Sequence, residues 1–427
     1  MIKIKTRLVK NLVFILFNIK KNMSKKIAEY NPLFLLAALW PGWMSIVFFM
    51  YLMFIVPRDT KDFVIPTFDS LKIYFTTGGN ENIAFKILIV LSVLWIMFFA
   101  FKHLQLLVWN LKRYFEFKKT KQYEVIKTGN AEVTLMALPL TLAMTINVVF
   151  VLWAVFVPGL WWVVDYLFPL AIISFWAVWI LALRTFWEYF SRLMIQKWNS
   201  DFVDNNSLSQ MVSVFAFVMI AVWFAASAAM WNPEFMIWNI EVWKITILLW
   251  LWGSIFFVTI AIFLSFLKVI LGFKAIFKYW LDEVASPTLW IMIPILTLIW
   301  ITFVRQSHWL HEIWGHTIPS TFIVLTSVII SLQILFWYLG YKVMKANKYF
   351  EKFIYGKEKS VWSYALICPW VALVVLGFFF LHLGLVKSGV VPKFGYTYFV
   401  FLIPLVYLQF KTIAIMLRLN KKFFNNN

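Results

Sequence analysis

Cysteine is nearly absent: Cys368 is the sole thiol in 427 residues. That excludes an internal disulfide framework and any metal centre built from several cysteines. Charge is scarce as well. Asp, Glu, Lys and Arg together make up 14% of the chain, and only 19 residues are acidic against 39 basic. A water-soluble domain of this length cannot cover its surface with so few charges. The local patterns of common enzymes are missing too. There is no phosphate-binding glycine loop, no serine elbow and no pair of carboxylates at a useful spacing. Neither an enzymatic activity nor a cofactor is expected.

Apolar residues fill the gap, at 63% of the chain with a mean hydropathy of +0.82. Runs of about 20 such residues, enough to cross the hydrocarbon core of a bilayer, recur along nearly the whole length. They predict an all-α polytopic membrane protein with ten spans, at 33–56, 84–111, 131–157, 164–184, 208–231, 240–270, 286–305, 320–344, 361–384 and 395–418. The formal charge of +20 invites a nucleic-acid reading, but the basic residues do not form one patch. They fall in the N-terminal segment, in alternate connections such as "KRYFEFKKTK" and "KVMKANKYFEK", and at the C-terminus. By the positive-inside rule both termini are cytoplasmic, and the protein is a multi-pass component of the cell's inner (plasma) membrane. Residues 1–30 form a basic cytoplasmic segment in which 11–19 reads as an amphipathic helix on the membrane surface. Residues 31–420 form the membrane domain, and 421–427 a short cytoplasmic tail.

An internal repeat comes next. Proline falls about eight residues into the first, third, seventh and ninth spans, at Pro41, Pro139, Pro294 and Pro369. "LFLLAALWP", "AEVTLMALP", "SPTLWIMIP" and "VWSYALICP" align on it, and "SLSQMVSVF" of the fifth span fits the frame with Phe215 in the slot. The chain therefore reads as five helical hairpins, each pairing a proline-kinked odd helix with a longer even one. A kink frees backbone carbonyls that lipid cannot satisfy, so the odd helices are expected to form an inner ring around a central pore. The even helices would face lipid. Prolines that merely adjust packing are the plainer alternative.

This architecture, together with "WSYALICPWVAL" at 362–373, resembles the family of plant slow anion channels, tellurite-resistance TehA and C4-dicarboxylate transporters (TDT). The resemblance implies a homotrimer passing monovalent anions, dicarboxylates or sulfur and tellurium oxyanions, with lipid as its surroundings. In that family a phenylalanine before the ninth-helix proline plugs the pore. Here Cys368 stands at that position, so the gate is not carried over.

The candidate lining consists of Trp40, Pro41, Pro139, Thr141, Thr145, Asn147, Phe215, Phe217, Pro294, Thr297, Tyr364, Cys368 and Pro369. Ser213, Ser227, Thr302 and Ser363 add hydroxyls on the same helices. Hydroxyls and amides donate to an anion without trapping it; alternatively they bond back to their own helix. Trp40 or Phe215 is the expected substitute for the missing plug. Outside the spans, His308, His311 and His316 in "HWLHEIWGH" present three imidazoles. They are read as a metal or haem site, a pH-sensitive vestibule, or an interfacial aromatic loop. His382 is expected to share that vestibule. Asp165 reads as interfacial, Lys102 beside His103 as snorkelling, Glu132 as suiting a helix start, and Arg184, Glu188 and Arg192 as ion-paired. Two other function classes stay open: a membrane redox subunit using the outer histidines, and a non-transporting assembly protein.

Overall fold

The computed structural model describes residues 30–56, 65–77, 83–195, 207–228, 242–314 and 319–424. The expected surface helix at 11–19 lies outside the described residues. Twelve α-helices follow one another: α1 (Leu35–Ile55), α2 (Phe68–Thr77), α3 (Ile83–Phe117), α4 (Lys121–Thr128), α5 (Ala137–Phe156), α6 (Leu160–Ile195), α7 (Met211–Ala228), α8 (Val242–Tyr279), α9 (Met292–Trp314), α10 (Pro319–Ala346), α11 (Ile367–Phe379) and α12 (Tyr396–Phe424). No strand occurs among the described residues. Among the described residues eight stretches are long and apolar enough to cross a bilayer: those of α1, α3, α5, α8, α9, α10, α11 and α12 with their flanking turns. The chain is an all-α polytopic membrane protein. The fourth and fifth predicted spans fall on α6 and α7.

Several helices outrun their predicted ends. α3 continues to Phe117, α6 to Ile195, α8 to Tyr279 and α12 to Phe424. Apolarity stops at the membrane interface, but the backbone ladder does not. Lys, Arg and Glu are good helix formers, and cations suit a helix C-terminus.

The prolines behave differently from simple kinks. Pro139, Pro294 and Pro369 each occupy the third residue of their α-helix, directly after 3₁₀ turns at Asn130–Met136, Ser286–Ile291 and Val361–Leu366. In 3₁₀ pairing each carbonyl is served three residues on, so the carbonyl four before the proline does not need the missing N–H. Only Pro41, among the four, lies inside a continuous α-helix. Nor is proline confined to alternate helices, because Pro404 lies within α12.

Burial divides the spans into two sets. The apolar windows of α1, α5, α9 and α11 are 89%, 67%, 83% and 67% buried, whereas those of α3, α8, α10 and α12 are 28%, 22%, 11% and 22% buried. α1 packs on α5, α5 on α7, α7 on α9, α9 on α11, and α11 returns to α1. Each of these five also packs on the long helix that follows it: α3, α6, α8, α10 and α12. The outer faces carry exposed side chains such as Phe101, Phe266, Leu335 and Ile403, which suit a lipid surround.

Polar contacts tie the long outer helices to the lead-ins of the buried ones. Tyr30 donates to Asn110 Oδ1 of α3 at 3.1 Å, and Tyr364 to Asn420 Oδ1 of α12 at 3.0 Å. Arg192 of α6 grips Glu132 Oε2 at 2.6 Å and the Gly129 carbonyl at 2.9 Å. Lys268 of α8 donates to Ser213 Oγ at 2.6 Å and to the Gln210 carbonyl at 3.1 Å. Trp290 donates to the Trp337 carbonyl of α10 at 2.9 Å. That approach requires Gly340, where a Cβ would stand 2.4 Å from the indole. The expected ion pairing of α6 is divided: Arg184 meets Glu188 at 3.0 Å, while Arg192 goes to Glu132.

The Glu132 side chain is only 3% exposed, so losing Arg192 would strand a buried carboxylate. Arg192→Leu is expected to cost about 3–5 kcal/mol in unfolding of the detergent-solubilised protein, and Glu132→Leu/Arg192→Leu distinctly less. Equal losses in the single and double variants would count against the pair.

Candidate functional site

The five buried helices enclose an interior, and two aromatic rings meet across it. Trp40 of α1 stacks on Phe215 of α7, with centroids 6.4 Å apart and planes inclined by 19°. α5 stands between these helices in the cycle, so the stack reaches past it. Trp40 and Phe215 are 1% and 2% exposed, so both rings are packed inside the cycle of helices. The indole N–H of Trp40 has no acceptor among the described residues. A buried donor left unpaired costs about 1–3 kcal/mol, so this one asks for an explanation.

The rest of the expected lining is distributed otherwise. Thr141, Thr145, Asn147, Thr297, Thr302 and Ser213 all bond to carbonyls of their own helices or lead-ins. Thr297 also accepts from Gln333 of α10 at 2.6 Å. Phe217 packs on Phe186 of α6 and Phe257 of α8, and Tyr364 on Phe423 of α12. Ser363 meets the Tyr349 hydroxyl at 3.0 Å. Cys368 is a buried free thiol beside Pro369. The Ser227 side chain lies outside the described residues.

His103 of α3 sits at the junction of three helices. Its Nδ1–H donates to the Ala38 carbonyl of α1 at 2.7 Å, just ahead of Pro41. Its Nε2 lies 3.0 Å from Thr145 Oγ1 of α5, whose hydroxyl also reaches the Thr141 carbonyl at 3.0 Å. Thr141 in turn donates to the Leu35 carbonyl at 3.2 Å. The interior proline of α1 is thus surrounded by side-chain bonding from its neighbours. Gly42 makes the approach possible, because a Cβ there would stand 2.9 Å from Nδ1 and 2.6 Å from Met144 Cγ. Lys102, next before it in sequence, is half-buried and donates to Gln105.

Two cations escaped the sequence reading. Arg305 of α9 donates from Nη1 to the Val222 carbonyl of α7 at 2.7 Å and lies 5.0 Å from the Trp223 ring. Val222 is seven residues beyond Phe215, hence on the same face of α7 and about 10 Å nearer its far end. Lys268 is 9% exposed, lies 5.4 and 5.6 Å from the rings of Phe186 and Tyr189, and has only neutral partners among the described residues. Both lie in apolar sequence, where a lone basic residue reads as a span edge. Which face carries it could be seen only in three dimensions.

The histidine candidates fare unevenly. The side chains of His308 and His311, and all of His316, lie outside the described residues, as does the side chain of Asp165. His382 does not open into a vestibule. It is 6% exposed, with Nδ1–H donating to the Phe378 carbonyl at 2.9 Å, Nε2 3.0 Å from the Tyr398 hydroxyl, and its ring stacked 4.3 Å from Phe54. Packing decided this: the aromatic neighbours of α1 and α12 close over the imidazole.

Set against protein-family models, curated proteins and solved structures, the chain matches none of them. Its function must be argued from its own residues.

Gly42→Ala is expected to push His103 off the Ala38 carbonyl and to lower stability by about 1–3 kcal/mol, measured by thermal unfolding in detergent. An unchanged melting curve would contradict the close approach.

Proposed function

We propose that the chain is a channel or transporter for small anions, with ten spans paired as five hairpins around a central pathway closed by Trp40 and Phe215. The observation that carries this reading is the stack of two rings across the interior of a closed cycle of helices. The indole N–H groups of Trp43, Trp179, Trp250 and Trp337 also lack an acceptor among the described residues, so that of Trp40 supports the reading only through its place in the stack. Here the closure carries an indole N–H free of any acceptor among the described residues. An N–H donor stabilises an anion and offers nothing to a cation. Basic connections on one side would raise the local anion concentration there. The reading agrees with the resemblance to slow anion channels and the TehA and C4-dicarboxylate transporters, and with it go a homotrimer, a plasma-membrane location and cytoplasmic termini. It requires no enzymatic step.

In this reading the third repeat supplies what the fifth lacks. Cys368 is too small to plug a pathway, and the bulky pair from the first and third repeats takes over. The opposing reading, a sealed assembly protein, draws on the near-complete burial of both rings.

Proteoliposomes loaded in turn with chloride, nitrate, sulfite, thiosulfate and malate provide the test. Trp40→Ala and Phe215→Ala are each expected to raise anion flux severalfold over the parent. Trp40→Phe, which keeps a ring but loses the N–H, is expected to lower it. Cys368→Phe on the Trp40→Ala background is expected to restore a low flux. Absence of flux from every folded variant would favour the sealed assembly protein.

A further inference from the structure

The inner helices hold two charged residues, Arg305 and Glu312, both on α9, and the Glu312 side chain lies outside the described residues. No Lys or Arg other than Arg305 falls within α1, α5, α7, α9 or α11. Burying an ionisable group in a membrane segment costs several kcal/mol, so a lone cation on such a helix is a candidate for function. Among the described residues no carboxylate pairs with Arg305. Its side chain is partly exposed, and a guanidinium has five N–H donors. One of them is taken by the Val222 carbonyl, and the plane is steadied against Trp223. The remaining four have no acceptor among the described residues.

We propose that Arg305 forms an oxyanion-binding site at the far end of the inner helices, beyond the Trp40–Phe215 closure. The inference rests on the anion-pathway reading for its place in transport, but the site itself is defined by Arg305, Val222 and Trp223 alone. A fork already held by a carbonyl and an indole presents its open edge in a fixed direction. Planar or forked oxyanions, such as nitrate, a carboxylate or sulfite, accept two parallel bonds from that edge. A spherical halide gains the charge but not the second directed bond. The site therefore discriminates by shape as well as by sign. Its position, about 10 Å along α7 from Phe215, allows an ion to be held there while the aromatic closure stays shut.

Two measurements on the full chain separate this site from the pathway. In the first, thermal unfolding of the detergent-solubilised protein is followed as nitrate replaces chloride at fixed ionic strength. The parent is expected to show saturable stabilisation with nitrate about tenfold tighter than chloride. Arg305→Lys should erase that preference, and Arg305→Gln should erase the saturable response. A nitrate response identical in the parent and both variants overturns the proposal. Should Arg305→Gln fail to fold, Arg305→Lys alone decides, because it keeps the charge and removes only the fork. In the second, nitrate and chloride fluxes are compared in proteoliposomes. Nitrate binding that depends on Arg305 without flux from any variant keeps the site and removes the pathway reading. Flux with a nitrate-to-chloride ratio unchanged in both variants overturns the site.

Discussion

A backbone carbonyl inside a bilayer has no water to turn to, and each proline in a span withdraws the N–H that would have served one. The arrangement of this protein follows from how those carbonyls are accommodated. At Pro139, Pro294 and Pro369 the chain tightens into 3₁₀ turns, so the shortage is met within the strand of pairing itself. Around Pro41 bonding from other helices reaches nearby carbonyls, His103 that of Ala38 and Thr141 that of Leu35. The helices that carry these four prolines are mostly buried, whereas Pro404 lies within α12, whose apolar window is 22% buried.

The same economy governs the ends at which the buried helices begin. A long outer helix reaches past the apolar zone and returns a polar side chain to the lead-in of a buried helix, as Asn110, Arg192, Lys268 and Asn420 do. These contacts set the depth at which each inner helix begins, and so the level at which residues of different repeats face one another. Trp40 and Phe215 come from helices of dissimilar sequence, yet their rings meet.

Much of the fold was legible in the sequence, and for a definite reason. Hydropathy over about 20 residues reports the solvent a segment lives in, and lipid is an unambiguous solvent. The helix extensions beyond it were less legible because interfacial residues serve helix and loop equally well. Of the site, Trp40 and Phe215 were each readable as bulky residues near the proline slot of the repeat frame, which depends on register along each helix, but their meeting was not. Arg305, the unpaired indole N–H and the His103 junction depend on the rotation of each helix about its axis. Nearly uniform apolarity erases that information: with lipid outside and aliphatic packing inside, both faces of α1 or α7 read alike. The back-bonded threonines show the same limit, since a hydroxyl in a membrane helix can serve its own carbonyl or a passing solute.

Because Trp40 and Phe215 belong to helices that are not neighbours in the cycle, the contact between them resembles a crossbar more than a seam. Separating two neighbouring helices would leave it in place. Both rings are almost wholly buried, so undoing it asks the side chains packed around them to give way as well. On the proposed transport reading, a barrier of this kind would tune throughput by the bulk of a single side chain.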